Sequence, residues 1–252
     1  MDSLLQMLDL DMIQWLTVII VALIVGFSKS GIGGATMLAI PILASVFGGK
    51  DSTGIMLPML LVGDLFAVWY YRKSVEWKNV FQPLPWAIIG IILGVLVGNY
   101  ISDKTFLTLI GMIILICLGI LVYTEIKGKN IIVPSESWFY ILVGILSGFA
   151  SMIGNAAGPI FGIYLLALGF KKNNYIGTNA WFFFIVNLTK LPLQIFVWHN
   201  ISIRSMIMTV VVLPVIILGA ILGYYLLKKI NEKIFRYLVI IMTGIAALKL
   251  FT

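Results

Sequence analysis

Two lysines stand where the surrounding sequence carries almost no charge. Lys29 lies in Ser28-Lys29-Ser30-Gly31-Ile32-Gly33-Gly34, between two apolar stretches. Residue types in this order suit anion recognition. Glycines let the backbone approach a ligand, the helix that follows offers free N–H groups and a positive dipole, and Lys29 adds a full charge. The same residues also fit a plain loop, with a lysine placed by topology and glycines that let helices pack closely. Lys190 lies inside the apolar run from Trp181 to Trp198. A lysine at mid-membrane costs about 2.5–3.5 kcal/mol on insertion scales and marks a functional residue by default. The alternative, a side chain snorkelling to the surface eight residues on, would have to reach roughly 12 Å at about 1.5 Å per residue, which is long for lysine. Asn187, three residues earlier, shares its helix face.

Asp64, in Leu61-Val62-Gly63-Asp64-Leu65-Phe66-Ala67, is the acidic residue placed within an apolar segment. It is either a proton-carrying coupling group or the counter-ion of a buried lysine. The counter-ion role is favoured because a buried charge needs a partner, and Lys190 is the lysine near the matching position. Asn155, Gly158 and Pro159 form a second Gly-rich break, and Asn179 follows Gly177-Thr178; each asparagine suits a ligand or a neighbouring helix. His199, alone beside Trp198, reads as an interfacial residue and not a metal ligand. The chain shows no phosphate-loop motif, no metal-spaced Cys/His cluster and no nucleophile with a base, so neither a cofactor, a metal nor a catalytic residue is expected.

The elements that must hold these residues are membrane helices. Apolar residues make up 61% of 252 and charged residues 11%, with a mean hydropathy of +1.10. A soluble domain carries about a quarter charged residues. The apolar stretches are helix-length, unlike the alternating ten-residue segments of a membrane barrel. Ten segments are expected, at about 12–27, 31–48, 54–71, 83–101 and 105–124, then 137–153, 156–169, 175–198, 205–227 and 234–251. The first pair in each half is short for a bilayer needing about 20 residues, which suggests tilted or re-entrant helices. Cys117 has no partner for an intramolecular disulfide, and the stretch up to Gln14, with Asp2, Asp9, Asp11 and no basic residue, is not expected to be a secretory signal.

The halves repeat. Gly26-Phe27-Ser28-Lys29-Ser30-Gly31-Ile32-Gly33-Gly34-Ala35 is answered by Ser147-Gly148-Phe149-Ala150-Ser151-Met152-Ile153-Gly154-Asn155-Ala156-Ala157-Gly158-Pro159, Gly54 by Gly177, and Gly94 and Gly98 by Gly219 and Gly223. The net charge of +7 sits in short loops and reads as topology, not nucleic-acid binding. Arg72, Lys73, Lys78, Lys171, Lys172, Lys228, Lys229, Lys233 and Arg236 fall in one set of alternating loops, and Lys50, Lys104 and Arg204 in the other, so nine basic residues face three. The rich loop is the middle one in the first half and the outer two in the second, the pattern of halves inserted upside down. The rich loops are then cytoplasmic, together with Lys127 and Lys129, and both termini lie outside a plasma or bacterial inner membrane. The expected fold is an all-α integral membrane protein. It is one domain over residues 1–252, made of two inverted repeats at about 12–124 and 137–251, each opening on a Gly-rich broken or re-entrant pair.

Several runs resemble the TauE/SafE family of sulfite-exporter-type permeases: Gly31-Ile32-Gly33-Gly34 followed by Pro41, Leu57-Pro58 through Gly63-Asp64 to Ala67, Tyr71-Arg72-Lys73 with Trp77, Asn155-Ala156-Ala157-Gly158-Pro159, Tyr164-Leu165-Leu166, and Gly177-Thr178-Asn179-Ala180-Trp181 to Asn187 and Lys190. The resemblance spans about residues 20–251 and implies transport of a sulfur-containing anion such as sulfite or an organosulfonate. The sequence departs from the fuller Gly-Gly-Gly of many members at Ala35 and at Ala156-Ala157. The expected substrate-binding set is Ser28, Lys29, Ser30, Gly31, Gly33, Gly34, Asn155, Gly158, Pro159, Asn179, Asn187 and Lys190, with Asp64 as coupling or counter-ion. Expected partners are a small anionic substrate and the lipid bilayer, with no nucleic acid; self-association is left open. A carrier that rocks one repeat against the other fits these features. An anion channel, a non-transporting membrane assembly protein and an intramembrane enzyme are the alternatives.

Overall fold

Local signals set where the helices begin and break. Asp11 accepts the Gln14 N–H while the Gln14 side chain returns to the Asp11 N–H, so helix α1 (Met12–Ser28) starts on a two-way cap. The computed structural model describes residues 8–29, 35–127, 137–170 and 172–226, with Ile241 and Leu248, and these residues contain helices and no strand. After α1 come α2 (Ala35–Phe47), α3 (Gly49–Tyr71), α4 (Trp77–Phe81), α5 (Leu84–Tyr100) and α6 (Asp103–Lys127). The second half supplies α7 (Ser137–Gly154), α8 (Gly158–Ala167), α9 (Lys172–Phe196), α10 (Ile203–Val211) and α11 (Leu213–Leu226). Apart from Ile241 and Leu248, the expected segment at 234–251 lies outside the described residues. The Asp103 carboxylate, at the start of α6, accepts the N–H groups of Gly49 and Lys50 and so satisfies the open end of α3.

Among the described residues, four helical stretches are long and apolar enough to cross a membrane: Gly49–Tyr71, Trp77–Tyr100, Asp103–Ile120 and Ser137–Gly154. A fifth is the pair α10 and α11, bent by 50°. The sequence reading took 205–227 as one unbroken segment. The break falls at Val212, because Pro214 has no N–H to give and its ring crowds the carbonyl four residues back. Pro85 acts at the matching place between α4 and α5. The expectation of a short first pair in each half holds for α1, with 17 residues, and most clearly for the second members: α2 has 13 residues and α8 has 10. At about 1.5 Å per residue these helices cover roughly 20 and 15 Å of an apolar layer about 30 Å thick. Helix α7, at 18 residues, matches the expected 137–153 to within one residue and is just long enough to cross a membrane. Large apolar side chains lie exposed along the outer faces, among them Ile20, Ile92, Leu96, Ile116, Leu146 and Leu218, as a lipid surround requires.

The two halves interlock. Helix α1 packs most closely on α11, and α7 on α5, so the first element of each half lies against the fourth element of the other. Glycines make both contacts. A Cβ at Gly26 would lie 2.0 Å from the Ile216 carbonyl oxygen, and one at Gly148 would lie 1.9 Å from that of Ala87. A Cβ at Gly219 would lie 2.3 Å from the Leu23 carbonyl oxygen, and one at Gly90 would lie 2.0 Å from that of Ile145. The structural partner of Gly219 is therefore Gly90, one turn before the Gly94 that the sequence alignment chose. Helices α3 and α9 cross at the centre. Gly54, early in α3, abuts Asn200 beyond the end of α9, and Gly177, early in α9, abuts Ser74 beyond the end of α3, so the two run antiparallel.

Trp198, at the end of its apolar run, is buried. Its ring packs on Gly98 and its Nε1 donates to the Val95 carbonyl at 3.3 Å.

Candidate functional site

At the crossing of α3 and α9 lies the one ion pair among the described residues. Lys29, the residue that closes α1, places its Nζ 2.5 Å from Asp64 Oδ1. The other Asp64 oxygen accepts from Asn187 Nδ2 at 2.7 Å. Asp64 is buried, whereas the Lys29 side chain keeps 16% of its surface exposed. Gly63 makes room for this geometry, because a Cβ there would stand 2.9 Å from Lys29 Cγ. The sequence favoured Asp64 as counter-ion of a buried lysine and pointed to Lys190; the partner is Lys29.

Lys190 is satisfied without a carboxylate. Its ammonium donates to the Ser151 carbonyl at 2.9 Å, to Ser151 Oγ at 3.0 Å and to Asn155 Oδ1 at 2.6 Å, and the residue is fully buried. Three donors meet three oxygens. Asn155 reaches this position through its backbone. It ends α7 at φ +54°, in the left-handed region where asparagine is one of the few tolerated side chains. The Ala156 N–H closes the helix end on the Ala150 carbonyl at 3.2 Å.

These groups surround a cleft of about 90 Å³, lined by Ser28, Lys29, Thr36, Met37, Leu60, Ser151, Asn155, Gly158, Pro159, Tyr175, Asn179, Phe183 and Asn187. A smaller space of about 50 Å³ adjoins it, sharing Ser28, Lys29, Tyr175 and Asn179 and adding Asp64. A water needs only about 10–15 Å³ of such room, so the main cleft admits several waters or an ion of a few heavy atoms. Helix α8 begins here, and a Cβ at Gly158 would meet nothing within 4 Å, so the N-terminus of α8 opens directly on the cleft. Since Lys190 occupies Asn155 Oδ1, Nδ2 is the atom Asn155 has left to offer the cleft. Ser28 Oγ donates to the Val25 carbonyl and accepts from Thr36 Oγ1, each at 2.7 Å, which ties the end of α1 to the start of α2.

Of the expected site residues, Ser28, Lys29, Asn155, Gly158, Pro159, Asn179 and Asn187 line the main cleft, and Asp64 lines its neighbour. Lys190 does not line it; it stands behind Ser151 and Asn155, which do. Ser30, Gly31, Gly33 and Gly34 lie outside the described residues. Sequence reasoning missed Thr36, Ser151, Tyr175 and Phe183. For Ser151 a signal existed: it follows Gly148 by the same three residues that separate Lys29 from Gly26. The two halves thus build related links with the roles reversed. The first helix of one half gives a lysine to an aspartate, and the first helix of the other gives oxygens to a lysine.

The sequence profile of one known family, described as sulfite exporter TauE/SafE, matches residues 18–250. No curated protein and no solved structure matches the chain.

Proposed function

We propose that this chain, which belongs to the TauE/SafE family of membrane transporters, carries a small sulfur oxyanion or related organic anion through the central cleft by alternating access. One observation carries the reading. The residues flanking both Gly-rich breaks converge on a single polar cleft, with one lysine from each half at or behind its wall. Lys29, Lys190 and Asp64 leave one excess positive charge when all are ionised, and the N-terminus of α8 adds its dipole. Paired interrupted helices at matching positions of two repeats are where carriers hold substrate. The two halves are inverted, the rich loops are cytoplasmic and both termini lie outside. The alternation of loop charge and the antiparallel crossing of α3 and α9 support this arrangement.

The test is uptake of labelled sulfite, sulfate, small sulfonates and small carboxylates into liposomes holding purified protein. Saturable uptake of sulfite or a sulfonate is expected, and Lys190→Ala should abolish it while the protein stays folded in detergent. Flux near the diffusive rate would make the protein a channel. Absence of flux for every anion would overturn the reading.

A further inference from the structure

We infer that an anion entering the cleft is accompanied by a proton, which binds Asp64. The inference rests on the carrier reading and concerns what moves with the anion. Lys29 is the cation that lines the cleft, since Lys190 donates all three of its protons to oxygens behind the wall. The Lys29 ammonium is already bonded to Asp64 at 2.5 Å. An incoming anion and the Asp64 carboxylate therefore need the same ammonium. The cleft is walled in part by Met37, Leu60 and Phe183, so water screens the two negative charges poorly. An anion beside Asp64 favours its protonated form, and by reciprocity a proton on Asp64 raises the affinity for the anion by the same factor.

The surroundings leave Asp64 as the group that takes the proton. The titratable groups facing it are Lys29 from α1 and Lys190 and Tyr175 from α9. Helix α2 contributes only Thr36 and Met37, and α8 only Gly158 and Pro159. Tyr70 and Tyr71 of α3 and Tyr224 and Tyr225 of α11 line a neighbouring groove that shares Lys29 and Ala67 with the smaller cavity but not Asp64. Among the described residues of the two connected cavities, Asp64 is the one carboxylate. The step is a simple protonation: a buffer acid in solution gives up a proton and becomes its conjugate base, the proton adds to Oδ1, the carboxylate becomes a neutral acid, and the Lys29 ammonium is freed for the anion. Asn187 Nδ2 can still donate to Oδ2, so the acid keeps a buried partner.

Purified protein is titrated calorimetrically with methanesulfonate, which stays ionised throughout, and with sulfite, corrected for sulfite's own titration. Each titration is run in two buffers of different ionisation enthalpy. The expected result is uptake of about one proton per anion, with affinity falling about tenfold per pH unit on the alkaline side. Asp64→Asn is expected to bind without proton uptake and with a flat pH profile; if that variant does not fold, the wild-type proton count decides. Binding without proton exchange would overturn this inference and leave the carrier reading intact. Absence of binding by both anions would overturn both.

Discussion

Asn155 holds a left-handed backbone position and accepts from a buried lysine, and few residue types serve both needs. Replacing it separates the two. Asn155→Gly keeps the helix end and removes one of three acceptors from Lys190. A lost hydrogen bond to a charged group is worth about 1.5–3 kcal/mol, so a lower melting temperature and a raised KM for uptake are expected. Asn155→Asp keeps the tolerance for positive φ and gives Lys190 a counter-charge, so it should fold at least as well. It also sets a negative charge at the cleft, and anion uptake should fall more steeply than in Asn155→Gly. Flux and melting curves of the two variants side by side check this. Which lysine faces Asp64 was not legible in the sequence. Spacing along α9 placed Lys190 beside Asn187, but the choice of Lys29 depends on α1 lying over Gly63, a tertiary contact with no local signature. Lys29, Asn155 and Asn187 were legible because polar residues in apolar runs stand out by composition alone.

Helices α2 and α8 are too short to span an apolar layer about 30 Å thick, and this lets an N-terminus point inward. For α8 that end is marked by Gly158, whose missing side chain faces open space. The glycine is therefore not needed for packing. Gly158→Val should still fold, with a modest loss of stability because a helical residue ahead of Pro159 tolerates a side chain poorly, and should fill part of a cleft of only about 90 Å³. Uptake should drop at least tenfold, far more than the melting temperature shift accounts for, and a transporting Gly158→Val would place the substrate path elsewhere. Helix α8 is fixed from its other side by the stack of Phe161 on Phe182 of α9, with ring centres 3.7 Å apart. Helix existence was readable from apolar length. The break at Val212 was missed because hydropathy does not change across it; only Pro214, matched by Pro85 in the first half, marked it.

Across the whole molecule, the exchange of first and fourth elements makes a quantitative demand on the repeats. Gly26 and Gly148 sit at equivalent close contacts, each against a backbone carbonyl that cannot swing aside. Gly26→Ala and Gly148→Ala should destabilise by similar amounts, at least about 1–3 kcal/mol each, through forced separation of helices. Thermal unfolding in detergent measures this, and a large difference between the two would break the equivalence of the halves. Inversion is tested separately. In a Cys117→Ala background, Lys73→Cys and Ile203→Cys occupy matching exposed positions after α3 and α9. They should react with a membrane-impermeant thiol reagent from opposite sides, and labelling from one side would mean parallel repeats. The matching close contacts of Gly26 and Gly148 were legible in the glycine pattern. The register of the fourth element was not, since Gly90, Gly94 and Gly98 are spaced alike and only the fitted helices select among them.

The pairing of α1 with α11 also has a history in time. Ribosomes add about 5–20 residues per second, so the roughly 190 residues between Gly26 and Ile216 take about 10 to 40 seconds to make. Throughout that interval the first helix has been synthesised and the helix that covers its glycine face has not. Assembly of the first half is thus held open until α11 has been made. A chain that stops before α11 carries an uncovered seam on α1, a mark by which a membrane protease or chaperone can tell an unfinished molecule from a finished one.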